Sequence, residues 1–223
     1  NPALNQAVHD SGKKILLAFG GWGQSDGFAK MSADSGYRKN FINNVVDILT
    51  DNDYDGIDLD WEFPASLNEG KNLTILVKEL RAKFNEVNPE LLITMAVNPG
   101  NWYGQRHEYE KMIPDMDWFA MMGYDFHGSW SSHTGHNAPL FPPASGCFDG
   151  SCSEGINYLK NTRKIPVEKL LFGIPFYGRE FNSSGLYKSY INPVTDVISH
   201  IDFLEVTEDK PVKVKLPLKL TGF

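Results

Sequence analysis

Four acidic residues fall within eight positions of the stretch Asp55-Gly-Ile-Asp58-Leu-Asp60-Trp-Glu62-Phe-Pro64, with Ile57, Leu59 and Trp61 between them. In an extended strand alternate side chains share a face, so Asp58, Asp60 and Glu62 point the same way. Carboxyl groups stacked this closely cannot all ionise cheaply. They push one another's proton affinities apart, so that one stays protonated near neutral pH beside an ionised neighbour. A protonated glutamic acid can give its proton to a leaving glycosidic oxygen and then take one from water. Apolar neighbours such as Phe63 and Met122 would raise its pKa further by desolvation. The competing reading is a half-exposed strand with a solvated acidic face, which suits an antiparallel edge better than the helix-rich flanks seen here. Other hydrolytic devices are missing from the sequence, which has neither a Gly-x-Ser-x-Gly elbow nor a His-Glu-x-x-His helix.

The elements that must position these groups alternate between strand and helix. Leu4 to Asp10 reads as a short helix, and Lys14 to Phe19 as an apolar strand ending in Gly20-Gly21-Trp22-Gly23. An uninterrupted apolar run of this kind predicts burial on both faces, as in a parallel sheet. No helix start is evident after Gly23. Tyr37 to Asn52 has Phe41, Val45, Ile48 and Leu49 at helical spacing, and leads at once into the acidic strand. A second helix carries Leu73, Leu76, Val77, Leu80 and Phe84 and ends at Asn88-Pro89. Leu91 to Val97 is a strand, His107 to Met112 a short helix, and Trp118 to Gly123 a strand. Ser153 to Thr162 is a helix from a serine cap, and Leu170 to Pro175 the fifth strand. Alternation of this kind implies parallel β/α units. Polar, aromatic and glycine residues gather just after each strand, as in an α/β fold of the (β/α)8 TIM-barrel type. An open doubly wound sheet shares that pattern, but the glycine-rich dinucleotide fingerprint is absent. Five to six of eight units are expected in residues 1–223. Beyond Arg179, Gly185 to Tyr190 and Pro211 to Leu220 read weakly as strands and Val194 to Phe203 as a helix.

Composition narrows the partners. The 223 residues are 41% hydrophobic and 22% charged, an ordinary globular balance. The net charge of −7 disfavours a nucleic-acid partner, and no apolar run is long enough to span a membrane. An aromatic content of 13% suits stacking against flat, weakly polar ligands. Cys147 and Cys152 flank a short glycine-containing segment able to close as a disulfide, which would indicate export, hence a secreted protein. His127, His133 and His136 lie in one Ser- and Gly-rich loop, but no carboxylate accompanies them at helical spacing. No metal or other cofactor is expected, and His127 reads as a polar border of the site.

The motif Asp55-Gly-Ile-Asp58-Leu-Asp60-Trp-Glu62 resembles the Asp-x-x-Asp-x-Asp-x-Glu signature of glycoside hydrolase family 18, the chitinases and their relatives. Other segments resemble the family in the same order: Gly20-Gly21-Trp22 its third strand, Met122-Gly-Tyr124-Asp125 its sixth, and Gly173-Ile-Pro-Phe-Tyr177-Gly-Arg179 its seventh. The resemblance covers roughly residues 4 to 190. It implies hydrolysis of β-1,4-linked N-acetylglucosamine by a substrate-assisted retaining route. On that reading Glu62 is the acid and base, Asp60 orients the substrate's acetamide, and Asp58 is the electrostatic partner of Asp60. Tyr124 and Asp125 hold the acetamide and its neighbours. Trp22, Tyr177 and Arg179 line sugar subsites, and Met122 packs beneath. Asp55 braces the loop. Two other activities share such a scaffold: an endo-β-N-acetylglucosaminidase acting on N-glycans and a non-catalytic chitin-binding lectin. The presence of Glu62 favours catalysis over the lectin.

Three departures from the family pattern stand out. A serine is usual where Ala18 stands, so Asp58 is expected to lack a hydroxyl partner. The matching region begins just before the third strand, and nothing after Arg179 resembles the eighth. A partial catalytic domain is expected, or a minimal form whose tail, residues 180–223, substitutes for part of the wall.

Overall fold

The computed structural model describes residues 2–143, 149–183 and 185–189. Five parallel strands lie side by side in chain order: β1 (Leu16–Gly20), β2 (Gly56–Asp60), β3 (Leu92–Val97), β4 (Trp118–Met122) and β5 (Leu170–Gly173). A doubly wound sheet reverses its strand order at a switch point. Here every strand adds on the same side of its predecessor, which is the winding of a β/α barrel arc. The expected segments at Val194–Phe203 and Pro211–Leu220 lie outside the described residues, as does Tyr190. Residues 185–189 form a turn rather than the strand expected there.

Helices α1 (Pro2–Asp10), α2 (Asp26–Ala33), α3 (Ser35–Asn52) and α4 (Leu67–Val87) connect or flank the first three strands. Asp34 starts α3, accepting from the Tyr37 N–H, and Ser66 starts α4, accepting from Glu69. Such side-chain caps satisfy amides that the helix itself leaves unpaired. The apolar stripe of α4, from Leu73 through Leu76, Val77 and Leu80 to Phe84, is fully buried together with Ile57, Leu59 and Ile93 of the sheet. Each such side chain contributes about 1.5–3 kcal/mol of burial. Arg38 of α3 donates to both carboxylate oxygens of Glu79 on α4 at 2.9 Å, fastening the two helices beside that core.

Four expectations change. Helix α2 was not anticipated, because its leading Ser25 makes no capping hydrogen bond and its hydroxyl is engaged elsewhere. Residues Asn101–Gly104, expected as loop, form the one-turn helix α5, ahead of α6 (Tyr109–Met112). The helix expected from Ser153 begins as α7 (Cys152–Asn157), capped by Ser151, and loosens into a π-turn over Tyr158–Thr162. Strand β1 is not buried on both faces. It is an edge of the described sheet, and its residues are half-buried or exposed. Strand β5, the other edge, leaves Leu171 and Phe172 exposed for the same reason.

Candidate active site

The alternation of β2 divides its side chains as its sequence demands. Ile57 and Leu59, with Trp61 just beyond the strand, are buried, Trp61 stacking on Phe28 of α2 at 5.3 Å. Asp58, Asp60 and Glu62 occupy the opposite, half-buried face. Asp55 lies at the far end of the strand. It accepts from the Ile15 N–H at 2.7 Å, lies 2.9 Å from His9 Nε2, and has Lys14 at 3.7 Å. It braces the strand's entry, as expected, apart from the other three carboxyls.

Asp58 has a partner that the sequence reading missed. Ala18 of β1 is in register with Asp58 and offers no hydroxyl, but Thr94 of β3 is in register on the other side. Its Oγ1 donates to Asp58 Oδ1 at 2.5 Å. The signal was a lone polar residue in the apolar run Leu-Leu-Ile-Thr-Met-Ala-Val. Burial still holds the Asp58 pKa above the ordinary carboxylate value, the Thr94 bond opposing it.

Backbone packing fixes Asp60. Gly21 N–H donates to its carbonyl at 2.7 Å. Gly20 crosses so close, at φ 108°, that a Cβ there would meet the Asp60 carbonyl oxygen at 2.1 Å. The Asp60 pKa is raised, first by burial and then by the Asp58 charge. Its Oδ1 is buried and has no hydrogen-bond partner among the described residues, an acceptor whose capacity is left unused.

Glu62 follows the strand end, where its N–H donates to Ser25 Oγ at 3.0 Å. The same hydroxyl lies 3.1 Å from the Gly21 carbonyl and 3.2 Å from that of Asp60. Desolvation, followed by the charges of Asp60 and Asp125, raises the Glu62 pKa to about 7. A substantial share of the population therefore carries a proton near neutral pH, as a general acid requires.

The loops after β4 and β5 meet over this row. Asp125 Oδ1 accepts from Tyr177 Oη and from Arg179 Nη2, each at 2.6 Å. Arg179 also lies 4.6 Å over the Trp130 ring. Asn137 ties the two loops, its Oδ1 accepting from the Asp125 N–H at 3.2 Å and from Arg179 Nε at 3.3 Å. Tyr124 stands edge-on to Tyr177 at 6.2 Å between ring centroids. Its phenol pKa is raised by burial and then by the carboxylates of Asp60, Asp125, Glu62 and Asp58. Met122 ends β4 on the same face of the sheet as Thr94 and Asp58, half-buried. Trp22, just past β1, is 79% exposed and makes no ring contact with the cluster. Trp102 is similarly exposed, beside Tyr103, whose ring stacks on Phe63 at 4.4 Å.

The family profile of the glycosyl hydrolases family 18 matches residues 2–212. The chain belongs to that family. The match runs past the last recognisable motif and into the tail. A probable chitinase 2 of Drosophila melanogaster is 35% identical over 190 residues, covering 82% of this chain and 38% of the relative. An immunomodulatory chitinase from Trichuris suis superposes with a TM-score of 0.79 at 29% identity, over 85% of this chain and 55% of that one. The Ostrinia furnacalis Group IV chitinase, solved in complex with allosamidin, gives 0.76 at 31% identity over 87% and 55%. This family 18 chain thus spans 38% to 55% of the length of these three relatives, and constitutes a partial chitinase-like (β/α)8 domain.

Two expectations fall elsewhere in this family 18 domain. Cys152 is a buried thiol whose Sγ donates to the Gly123 carbonyl at 3.3 Å, and the disulfide expected with Cys147 cannot be followed within the described residues. Cys147 lies outside the described residues. No helix among the described residues is long and apolar enough to cross a membrane. His127 is buried rather than lining the carboxylate row, and it is joined by His133 and by Asp149, a carboxylate that the sequence spacing did not connect to either.

Proposed function

We propose that this chain carries the catalytic face of an enzyme that hydrolyses chitin, the β-1,4-linked polymer of N-acetylglucosamine, with retention at the anomeric carbon. The observation that carries the reading is the row of carboxyls along β2 and its end: Asp58 bonded to Thr94, Asp60 with an acceptor unused among the described residues, and Glu62 with its pKa raised to about 7. Relatives of this chain are named as chitinases, which supports the same substrate class.

Glu62 protonates the glycosidic oxygen as the C1–O bond breaks. The carbonyl oxygen of the substrate's own 2-acetamido group closes on C1 and forms an oxazolinium ion. Asp60 takes the acetamide N–H on Oδ1 and, as a carboxylate, stabilises the developing positive charge. Glu62, now ionised, removes a proton from water, which attacks C1 and reopens the ring. Both displacements occur at the same carbon, so configuration is retained. Tyr124 and Asp125 hold the acetamide in line for attack, where correct placement is worth several kcal/mol of barrier. Tyr177 and Arg179 fix the Asp125 carboxylate as they line the adjoining subsite. Met122 closes the floor, and Trp22 offers an exposed ring to a neighbouring sugar.

The test is Glu62→Gln, which keeps size and loses the proton donor. Release of chito-oligosaccharides by the full chain should fall by ~100-fold or more, with binding of the oligosaccharide retained. Turnover at the parent rate would remove Glu62 from the mechanism and the proposal with it.

A further inference from the structure

The loop after β4 holds a second polar cluster that the carboxylate row does not use. His127 Nδ1 lies 2.9 Å from the His136 carbonyl, and His133 Nδ1 lies 3.0 Å from the Thr134 carbonyl. A carbonyl can accept but not donate, so both Nδ1 atoms carry hydrogen and both Nε2 atoms present the ring's other valence. Those two Nε2 atoms converge on one oxygen: Asp149 Oδ2 is 3.0 Å from His127 Nε2 and 3.2 Å from His133 Nε2. The three atoms all lie within 4.8 Å of one another.

Simple ion pairing leaves this arrangement incomplete. Among the described residues His127 Nε2 is fully buried and, although it lies 3.0 Å from Asp149 Oδ2, makes no hydrogen bond. A buried ring nitrogen without a partner loses its hydration for no return, whether it carries a lone pair or a proton. The ring cannot simply turn away. Gly135 packs against its face so tightly that a Cβ there would come within 2.2 Å of Nε2.

We propose that His127 Nε2, His133 Nε2 and Asp149 Oδ2 bind a first-row divalent cation of the zinc type. Ligands 2.0–2.1 Å from a tetrahedral zinc sit about 3.3 Å apart, close to the two nitrogen–oxygen separations present. The backbone carbonyls of His136 and Thr134 supply the outer hydrogen bonds that fix a ligating histidine's tautomer and ring orientation. Two imidazoles and one carboxylate are a donor set that zinc accepts, with water completing the shell. The ion ties the loop that follows Asp125 to the segment leading into α7, and its role is structural. Nothing in the proposed hydrolysis passes through it, so loss of metal binding and loss of the chitinase reading are separate outcomes.

The experiment uses the full chain without an affinity tag, stripped with chelator and titrated with zinc chloride by calorimetry and thermal unfolding. One ion per chain is expected at micromolar or tighter affinity, with a rise in Tm on saturation. Cobalt(II) in place of zinc should give visible absorption typical of nitrogen and oxygen ligands at four- or five-coordination. Asp149→Asn, which is nearly isosteric, and His133→Ala, at a half-exposed position, should each weaken binding ~10-fold or more and remove the Tm rise. Absence of binding at 100-fold excess zinc would overturn the site and leave an ion-paired cluster. Equal affinity in the parent and both variants would overturn it too, placing the ion elsewhere.

Discussion

Replacing Thr94 by Val removes one hydroxyl from the inner face of the sheet with almost no change of shape. That hydroxyl donates to Asp58 at 2.5 Å, and Ala18, the register neighbour on the other side, has no donor to take its place. A hydrogen bond to a charged group contributes about 1.5–3 kcal/mol, and one to a neutral group about 0.5–1.5 kcal/mol. Loss of that bond removes the one contact that lowers the Asp58 pKa and should raise it further. The direction with pH follows from burial. Asp58 already titrates above its unfolded value, so its ionisation costs stability as pH rises from the ordinary carboxylate range through the raised folded value, and nothing below that range. Urea unfolding of parent and variant should therefore differ by about 0.5–1.5 kcal/mol at pH 4 and about 1.5–3 kcal/mol at pH 8. Ala18→Ser in the Thr94→Val background returns a hydroxyl to the register position beside Asp58 and should recover part of the difference at pH 8. A loss of stability that is equal at both pH values, and untouched by the serine, would refute the role assigned to Thr94.

The remaining expectations concern the acid, its support and the thiol. Because Glu62 must be protonated to act, kcat/KM on a soluble chito-oligosaccharide should fall about tenfold per pH unit above about 7; a profile flat to pH 9 would exclude it as the acid. Gly20→Ala forces a Cβ against the Asp60 carbonyl at an unfavourable φ, so at least ~1–3 kcal/mol of stability should be lost in urea titrations; an unchanged midpoint would show that the crossing is not tight. Hydrolysis of colloidal chitin with no release of glycan from a high-mannose glycoprotein separates the chitinase reading from an endo-β-N-acetylglucosaminidase; the opposite result would reverse the assignment. Cys152 should resist alkylation in the native chain and react on unfolding, followed by mass spectrometry of its peptide; labelling at equal rates in both states would contradict its burial.

The carboxylate row was legible because a strand's period of two sorts side chains without knowledge of anything else in the chain. The succession of parallel units was legible for a similar reason, since apolar runs and helical spacing are local patterns. What escaped depended on contacts between distant segments. Helix α2 gave no start signal in the sequence, and Ser25, which precedes it, spends its hydroxyl on the Glu62 N–H and the carbonyls of Gly21 and Asp60 instead of capping it. Lys14 to Phe19 reads as a strand covered on both sides, but the burial of β1 is decided by its position at the edge of the described sheet, not by its composition. Thr94 left only the mark of a lone polar residue in an apolar run, its partner being set by register, and the meeting of Asp149 with His127 and His133 depends on loop closure.

The two ends of β2 are electrically separate workshops. Asp55 and Glu62 are seven steps apart along nearly extended chain, roughly 23 Å, more than twice the screening length in physiological salt. At the Asp55 end, opposite charges are paired: the Asp55 pKa is lowered and that of His9 raised. The stability gained by Asp55 is present above the ordinary carboxylate range and fades as acid protonates it, while that gained by His9 is present below its unfolded pKa and fades as base discharges it. At the other end, burial and then the like charges of Asp60 and Asp125 hold the proton on Glu62. An engineer can therefore reset the pH at which the fold is most durable by changing His9 or Lys14 and leave the acid's working pH where it is.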